Sequence, residues 1–251
     1  MGLFDLSGKV AIVTGSTRGI GLAIARAFRN QGAGVVISSE NAGDSAQVGR
    51  DLDTLAIPAD VADDAQLVAL VQRTINHFGR LDILVCNAGI TGRPGPFATI
   101  DMDDYDRVMA VNLRSQIRLC NLALPQIASV GGGAAILVSS LSGLRGNGAI
   151  NAYALAKAGV AQLARNLAVE WGPRNVRVNA LSPGFIRTEL SMPLLADAGF
   201  MARRMQMTPL RRPGEVDEVA GAAIFLASPA GAFVTGHNLV VDGGTLVTDG
   251  G

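Results

Sequence analysis

The chain has 251 residues, about half of them hydrophobic, with 31 glycines and few aromatics. Its 21 basic and 21 acidic side chains cancel, and no basic stripe suggests nucleic acid. No stretch approaches the ~20 apolar residues of a membrane helix, which leaves a single α/β domain over 1–251, a doubly wound parallel sheet under close-packed helices.

The N-terminal MGLFDLSGKVAIV lacks a basic region followed by a long apolar run, and position 6 is Leu, not the Ser or Thr of a myristoylation motif. The expected location is the cytoplasm. Cys86 and Cys120 suggest no disulfide framework, and the two histidines and two cysteines show no metal-ligand spacing. Lys9 to Thr14 is a short, apolar buried strand. It runs into Gly15-Ser16-Thr17-Arg18-Gly19-Ile20-Gly21, after which Ile20, Ala23, Ile24, Ala27 and Phe28 recur at helical spacing. Strand, glycine turn and helix together make a phosphate cradle, because backbone N–H groups and the helix dipole face the anion.

Val35 to Ser39 is the second strand, and the residues just past such a strand face the adenosine ribose in nucleotide folds. Here Ser38, Ser39 and Glu40 occupy that place. A carboxylate at Glu40 accepts hydrogen bonds from ribose hydroxyls and repels a 2′-phosphate; as a solvated loop residue it would do neither. No Lys or Arg follows until Arg50, and Arg18 is the one basic residue near enough for a 2′-phosphate. NAD is therefore favoured over NADP.

Leu55 to Ala59 is a third short strand, followed by Asp60 and Val61. Asp60 suits either an adenine amino group or the N-cap region of a helix from about Asp63 to Phe78. Leu81 to Cys86 is the fourth strand, closed by Asn87, Ala88 and Gly89, whose small size permits close approach of a ribose. A Gly/Pro-rich loop from Thr91 to Phe97 leads to a long helical region from about Asp101 to Ile127. Asn112 lies inside it among apolar residues. Asn is a poor helix former, so Asn112 either binds a water or caps a local distortion.

Ala135 to Ser140 is the fifth strand and ends in hydroxyls, with Ser140 placed to bond a substrate oxygen. A helix from Ala152 to about Trp171 carries Tyr153 and Lys157 four apart, on one face. An ammonium beside a phenol favours phenolate, so the Tyr153 pKa is expected to fall from its usual value of about 10. Such a tyrosine is a candidate acid or base. Val176 to Leu181 is the sixth strand, followed by Pro183-Gly184 and Phe185-Ile186-Arg187-Thr188. The stretch from about 188 to 213 has no sheet period and is rich in Met and Leu, which suits an adaptable lid over an apolar substrate. A helix from Glu215 to Ala227, a strand from Asn238 to Val241 and Asp242-Gly243-Gly244 complete the chain.

Taken together, T-G-x-x-x-G-x-G, Asp60-Val61, N-A-G, Asn112, Ser140, Y-x-x-x-K, P-G and D-G-G closely resemble the short-chain dehydrogenase/reductase family, from about Lys9 to Gly244. Ser140 stands thirteen residues before Tyr153, as in that family. The resemblance implies a catalytic tetrad of Asn112, Ser140, Tyr153 and Lys157. It implies that Gly15, Arg18, Gly19, Ile20 and Gly21, with Thr17 in the same loop, hold the pyrophosphate. Asp60, Val61 and Asn87 would flank adenosine, with Ala88 and Gly89 beside them, and Pro183, Gly184, Ile186 and Thr188 would flank the nicotinamide. Lys157 would bond the nicotinamide ribose. Two positions depart from the pattern: Cys86 replaces a frequent Asn, and Glu40 falls one past the usual NAD-type Asp. The implied protein is a homotetrameric oxidoreductase of a secondary alcohol or ketone. An NADPH-dependent 3-oxoacyl-carrier-protein-type ketoreductase is the alternative, with Arg203, Arg204, Arg211 and Arg212 as its carrier-facing patch. A non-catalytic dinucleotide sensor would be free to lose Tyr153 or Lys157, and both are present.

Overall fold

The computed structural model describes residues 2–248; Met1 and 249–251, which the single-domain reading includes, lie outside the described residues. These form a seven-stranded, wholly parallel sheet in the order β3-β2-β1-β4-β5-β6-β7. The strands are β1 Val10–Thr14, β2 Gly34–Ser38, β3 Leu55–Ala56, β4 Ile83–Cys86, β5 Gly133–Val138, β6 Val176–Pro183 and β7 Asn238–Val241. Alternate side chains feed two cores. In β5, Ala135 and Leu137 face one, while Ile136 and Val138 face the other. Burial on both faces is why the central strands read as unbroken apolar runs.

Helices α3 Asp64–Phe78, α5 Ser115–Ser129 and α6 Asn151–Trp171 cover one face. Helices α1 Gly19–Asn30 and α9 Val216–Ala227 cover the other. The third strand is shorter than its apolar run. Pro58 has no N–H to donate, so beyond Ala56 the chain follows β2 only through Ile57 N to Ile37 O (2.9 Å) and Ala59 N to Ser39 O (3.0 Å). Helix α2, Ala42–Asp51, has no counterpart in the sequence reading: it is polar and buries only Ser45 and Gly49. The chain leaves β1 to build β2 and β3 on one side, then crosses to β4 on the other. That reversal opens a crevice at the C-terminal ends of β1 and β4, where dinucleotides bind in such sheets.

Candidate active site

At the crevice, β1 passes through Gly15 and Ser16 into α1. The glycines divide the work differently from the simple phosphate-approach reading. A Cβ on Gly21 would collide with the Gly15 carbonyl and the Asn87 amide, and one on Gly15 would lie 2.9 Å from Ala88 Cα. These two glycines let the loop pack on the end of β4. Asn87 closes that joint, its Nδ2 donating to Thr14 O and Gly15 O (both 3.0 Å), while Thr14 Oγ1 accepts from Asn87 N and Ala88 N. Gly19, at φ +54°, is the one that faces open space: its Cβ would meet only Thr188, at 3.6 Å.

The α1 N-terminus could receive an anion. Helices α2, α3, α4 (Met102–Met109) and α8 (Ala198–Gln206) are each capped by an Asn or Asp side chain, whereas Arg18 gives α1 no side-chain cap and its first turn carries no acid. Its first-turn N–H groups and dipole remain for a ligand phosphate. Exposed Glu40 follows β2, within 3.4 Å of the Ser39 hydroxyl. Asp60 shapes its own turn by accepting from Ala62 N (2.9 Å), and Asp63, not Asp60, caps α3. Loop, open helix end and carboxylate lie in line along the strand ends, a donor and acceptor set that fits a nicotinamide dinucleotide.

The four sequence-picked polar residues converge beside this cradle. Asn112 sits in a single π-helical turn, Ala110–Arg114, between α4 and α5. Its Nδ2 donates to Val108 O (2.9 Å) and Ile90 O (2.8 Å), and its Oδ1 accepts from Ile90 N (3.2 Å). Of the two readings, capping a distortion is what these bonds do. The amide satisfies a carbonyl freed by the widened turn and ties α4 to the loop after β4. Gly89 makes this contact possible, since a Cβ there would lie 2.6 Å from Asn112 Oδ1 and 3.5 Å from Lys157 Nζ.

Lys157 is 2% exposed, and its Nζ donates to Val138 O at 2.7 Å. Burial lowers its pKa from 10.5 to about 8. Half-buried Tyr153 lies one turn earlier on α6, its ring centroid 5.5 Å from Lys157 Nζ. The expected fall in its pKa is not found. Burial pushes the phenol up, a hydrogen bond with Ser140 pulls it partly back, and the ammonium is aimed at Val138 O. Desolvation disfavours both charged forms here more than the neighbouring cation favours one.

Two supporting residues escaped sequence reasoning. Ser139 Oγ donates to Lys157 O (2.7 Å), and Gly143 lies so close that its Cβ would sit 2.6 Å from Ala158 N. They lock α6 onto the end of β5, which sets the distance from Ser140 to Tyr153. The doubled hydroxyl at the strand end was the available signal. Cys86 and Cys120 are both buried in the core below, and their hydrogen bond together with burial raises Cys86 well above the ordinary thiol range.

On the far wall, Pro183-Gly184 ends β6; Gly184 packs against Asp242, which its Cβ would approach to 2.6 Å. Thr188 caps the next turn through Ser191, and Ile186 is buried. The segment beyond folds into α7 Met192–Leu195 and α8, leaving Leu190, Met192, Leu194, Met207 and Leu210 exposed. Its end is pinned where Leu210 N donates to Gly243 O (3.1 Å).

A family model described as enoyl-(acyl carrier protein) reductase matches residues 15–245. The cis-4-hydroxycyclohexanecarboxylate dehydrogenase of Sinomonas cyclohexanicum is 42% identical over 94% of this chain and 96% of its own. The chain belongs to the short-chain dehydrogenase/reductase family. As a family member it is an oxidoreductase of CH–OH groups. Two solved structures superpose closely on this dehydrogenase. A gluconate 5-dehydrogenase from Burkholderia cenocepacia, in complex with NADP and tartrate, has a TM-score of 0.94 at 36% identity, covering 98% of each chain. A 7α-hydroxysteroid dehydrogenase, complexed with NADH and 7-oxo glycochenodeoxycholic acid, has a TM-score of 0.91 at 36% identity, covering 96% of each.

Proposed function

We propose that this protein interconverts a secondary alcohol and its ketone with a nicotinamide dinucleotide, using Ser140, Tyr153, Lys157 and Asn112 as its catalytic residues. The observation that carries the reading is the buried Lys157, one helical turn from Tyr153 and joined through α6 to Ser140. Gly15, Thr17, Arg18, Gly19, Ile20 and Gly21 hold the pyrophosphate. Ser39, Glu40, Asp60, Val61 and Asn87 to Gly89 line the adenosine side, and Pro183, Gly184, Ile186 and Thr188 the nicotinamide side. Bound there, the nicotinamide supplies the hydride acceptor or donor.

In the oxidation direction the Tyr153 phenolate takes the hydroxyl proton, the phenol's own proton having left toward Lys157 once that amine is neutral. Ser140 Oγ, which eases deprotonation of the Tyr153 phenol, fixes the substrate oxygen and stabilises charge as it develops. Lys157 Nζ would bond the ribose and, with a pKa of about 8, is poised to pass the proton on. Asn112 bonds Ile90 and Val108 O and so fixes the loop after β4, whose Gly89 leaves room beside Lys157. Alcohol oxidation should therefore quicken as pH rises through about 8. Tyr153→Phe should lower kcat by at least ~10²-fold while NADH binding, read by fluorescence titration, changes little. Wild-type turnover in Tyr153→Phe rejects the assignment.

NAD is preferred over NADP because Glu40, not a cation, stands beyond β2. The ratio of NAD to NADP activity tests this, and an NADP preference refutes it. Residues 188–213 act as a lid, and their exposed Met and Leu side chains suit an apolar, cyclic alcohol; the Sinomonas relative is named for such a ring. The carrier-protein alternative needs a common basic patch. Arg212 is paired with Glu218 (2.6 Å), Arg211 bonds Met205 and Gln206 carbonyls, and Arg204 turns inward over Phe185. That dispersal favours a free small molecule. Half-exposed apolar residues along the edge strand β7, with Phe233 and Val247 beside it, support assembly as a homotetramer. No helix among the described residues is long and apolar enough to cross a membrane.

A further inference from the structure

Arg204 and Arg145 form an unusual pair. Arg204 lies on α8, inside the proposed lid, yet its guanidinium points back toward the sheet, 5.7 Å from the ring centroid of Phe185. Phe185 directly follows Pro183-Gly184 at the end of β6 and packs against Phe200 of α8, ring centroids 5.4 Å apart. Arg145 lies on the loop that runs from Ser140 to Tyr153, and β5 and β6 are adjacent in the sheet. Lid and loop thus follow neighbouring strands at the same end of the sheet.

Both arginines are half-buried, and neither forms an ion pair among the described residues. Arg204 Nε is buried with no hydrogen-bond partner. Burial disfavours its charge, Arg145 repels it, and Asp242 offsets only part of this. The Asp242 oxygens are taken by Gly244 N (2.8 Å) and Leu246 N (2.7 Å). The contrast is with the neighbouring cations: Arg93 is paired with Asp101 and Arg212 with Glu218. A partly desolvated guanidinium with an unbonded Nε, repelled by a second arginine and without an acid, is unfavourable unless an anion completes the site. Arginine's planar fork suits a carboxylate, and a stacked, partly dry guanidinium binds one more strongly than a solvated lysine.

We infer that Arg145 and Arg204 bind a carboxylate carried by the substrate, so that the alcohol oxidised at Ser140 and Tyr153 belongs to an apolar hydroxy acid. The aromatic pair Phe185 and Phe200 and the exposed lid side chains cover its hydrocarbon body. The carboxylate fixes which end enters first. This substrate class rests on the proposed alcohol oxidation at the same site, but the anion subsite can be read without turnover.

Titration calorimetry with the NADH-loaded protein, and with the protein alone, compares cyclohexanecarboxylate with the isosteric cyclohexanecarboxamide. The carboxylate should bind more tightly. Arg204→Gln should weaken it about 10- to 100-fold, as loss of a charge-assisted hydrogen bond does, with a smaller loss in Arg145→Gln. Arg204→Lys should restore part of the affinity, and the carboxamide should respond little. Equal binding of acid and amide, or carboxylate affinity that survives both Gln variants, overturns the assignment. Kinetics with 4-hydroxycyclohexanecarboxylate and its methyl ester then separate the two readings. Turnover of both at equal kcat/KM leaves the alcohol chemistry standing and removes the carboxylate subsite. No turnover of any alcohol, with carboxylate binding intact, does the reverse.

Discussion

The two ends of the sheet are built on opposite principles. At the N-terminal end, Asp82 is 1% exposed and fully engaged: Arg80 (2.7 Å), Lys9 (3.1 Å) and Val10 N (3.0 Å) all bond it. Desolvation alone would raise this carboxyl, yet those partners hold it below its usual value. At the C-terminal end, Lys157 is equally buried, has one carbonyl partner, and has lost much of its basicity. There too lie the π-helical turn at Asn112, the uncapped α1 and the unpaired arginines. At one end a buried carboxylate is fully paired; at the other a buried ammonium and a buried guanidinium Nε are not. Local departures from good packing practice mark the site.

Exchanging damage between the ends should break the comparison most visibly. Ser140→Ala should lower kcat by about 10²–10³-fold with the unfolding midpoint almost unmoved. Asp82→Ala should cost about 3 kcal/mol of stability, because it strands Val10 N and two cations, and leave kcat near wild type in the folded fraction. Denaturant melts and initial rates on both proteins provide the check. Equal loss of stability in the two variants would mean the ends are not specialised.

The pH dependence of stability sharpens the contrast. The Lys157 amine titrates at about 8 in the folded chain against an ordinary 10.5. Between those values the unfolded chain binds the extra proton, so this group makes the native state gain stability as pH rises through that window. Lys157→Met has no such group. The wild type should therefore gain on Lys157→Met by up to roughly 3 kcal/mol from pH 7 to 10.5. A constant difference in urea midpoints across that range would show that burial does not depress the amine.

The smallest expected effect concerns helix ends. Arg18→Asp should give α1 the cap its sister helices have, stabilising the fold by about 0.5–1 kcal/mol, while weakening dinucleotide binding. Fluorescence titration with NADH and a thermal melt read both. Tighter binding would contradict the cradle at the α1 N-terminus.

Much of this was legible in the residues alone, because it is local. Short apolar runs gave all seven strands within a few residues, and the Tyr153–Lys157 spacing placed both groups on one helical face. The ambiguous cases were those whose partners lie far along the chain. Asn112 meets Ile90, Ser139 meets Lys157 O, and Gly143 packs on α6. The strand Leu55 to Ala59 was overread because Pro58 removes a donor that only matters once β2 is its neighbour. Helix α2 went unread since its short buried face, Ser45 and Gly49, carries almost no hydrophobic signal.

By itself the sequence determined the alternation of elements, the order of motifs and which polar groups are candidates for the site, since these depend on periodicity and covalent spacing. Tertiary structure decided the charge states and the free bonding capacity. Burial, not the adjacent ammonium, governs the Tyr153 phenol, and burial together with repulsion from Arg145 acts on Arg204. Desolvation and repulsion act through space, and no linear pattern carries them.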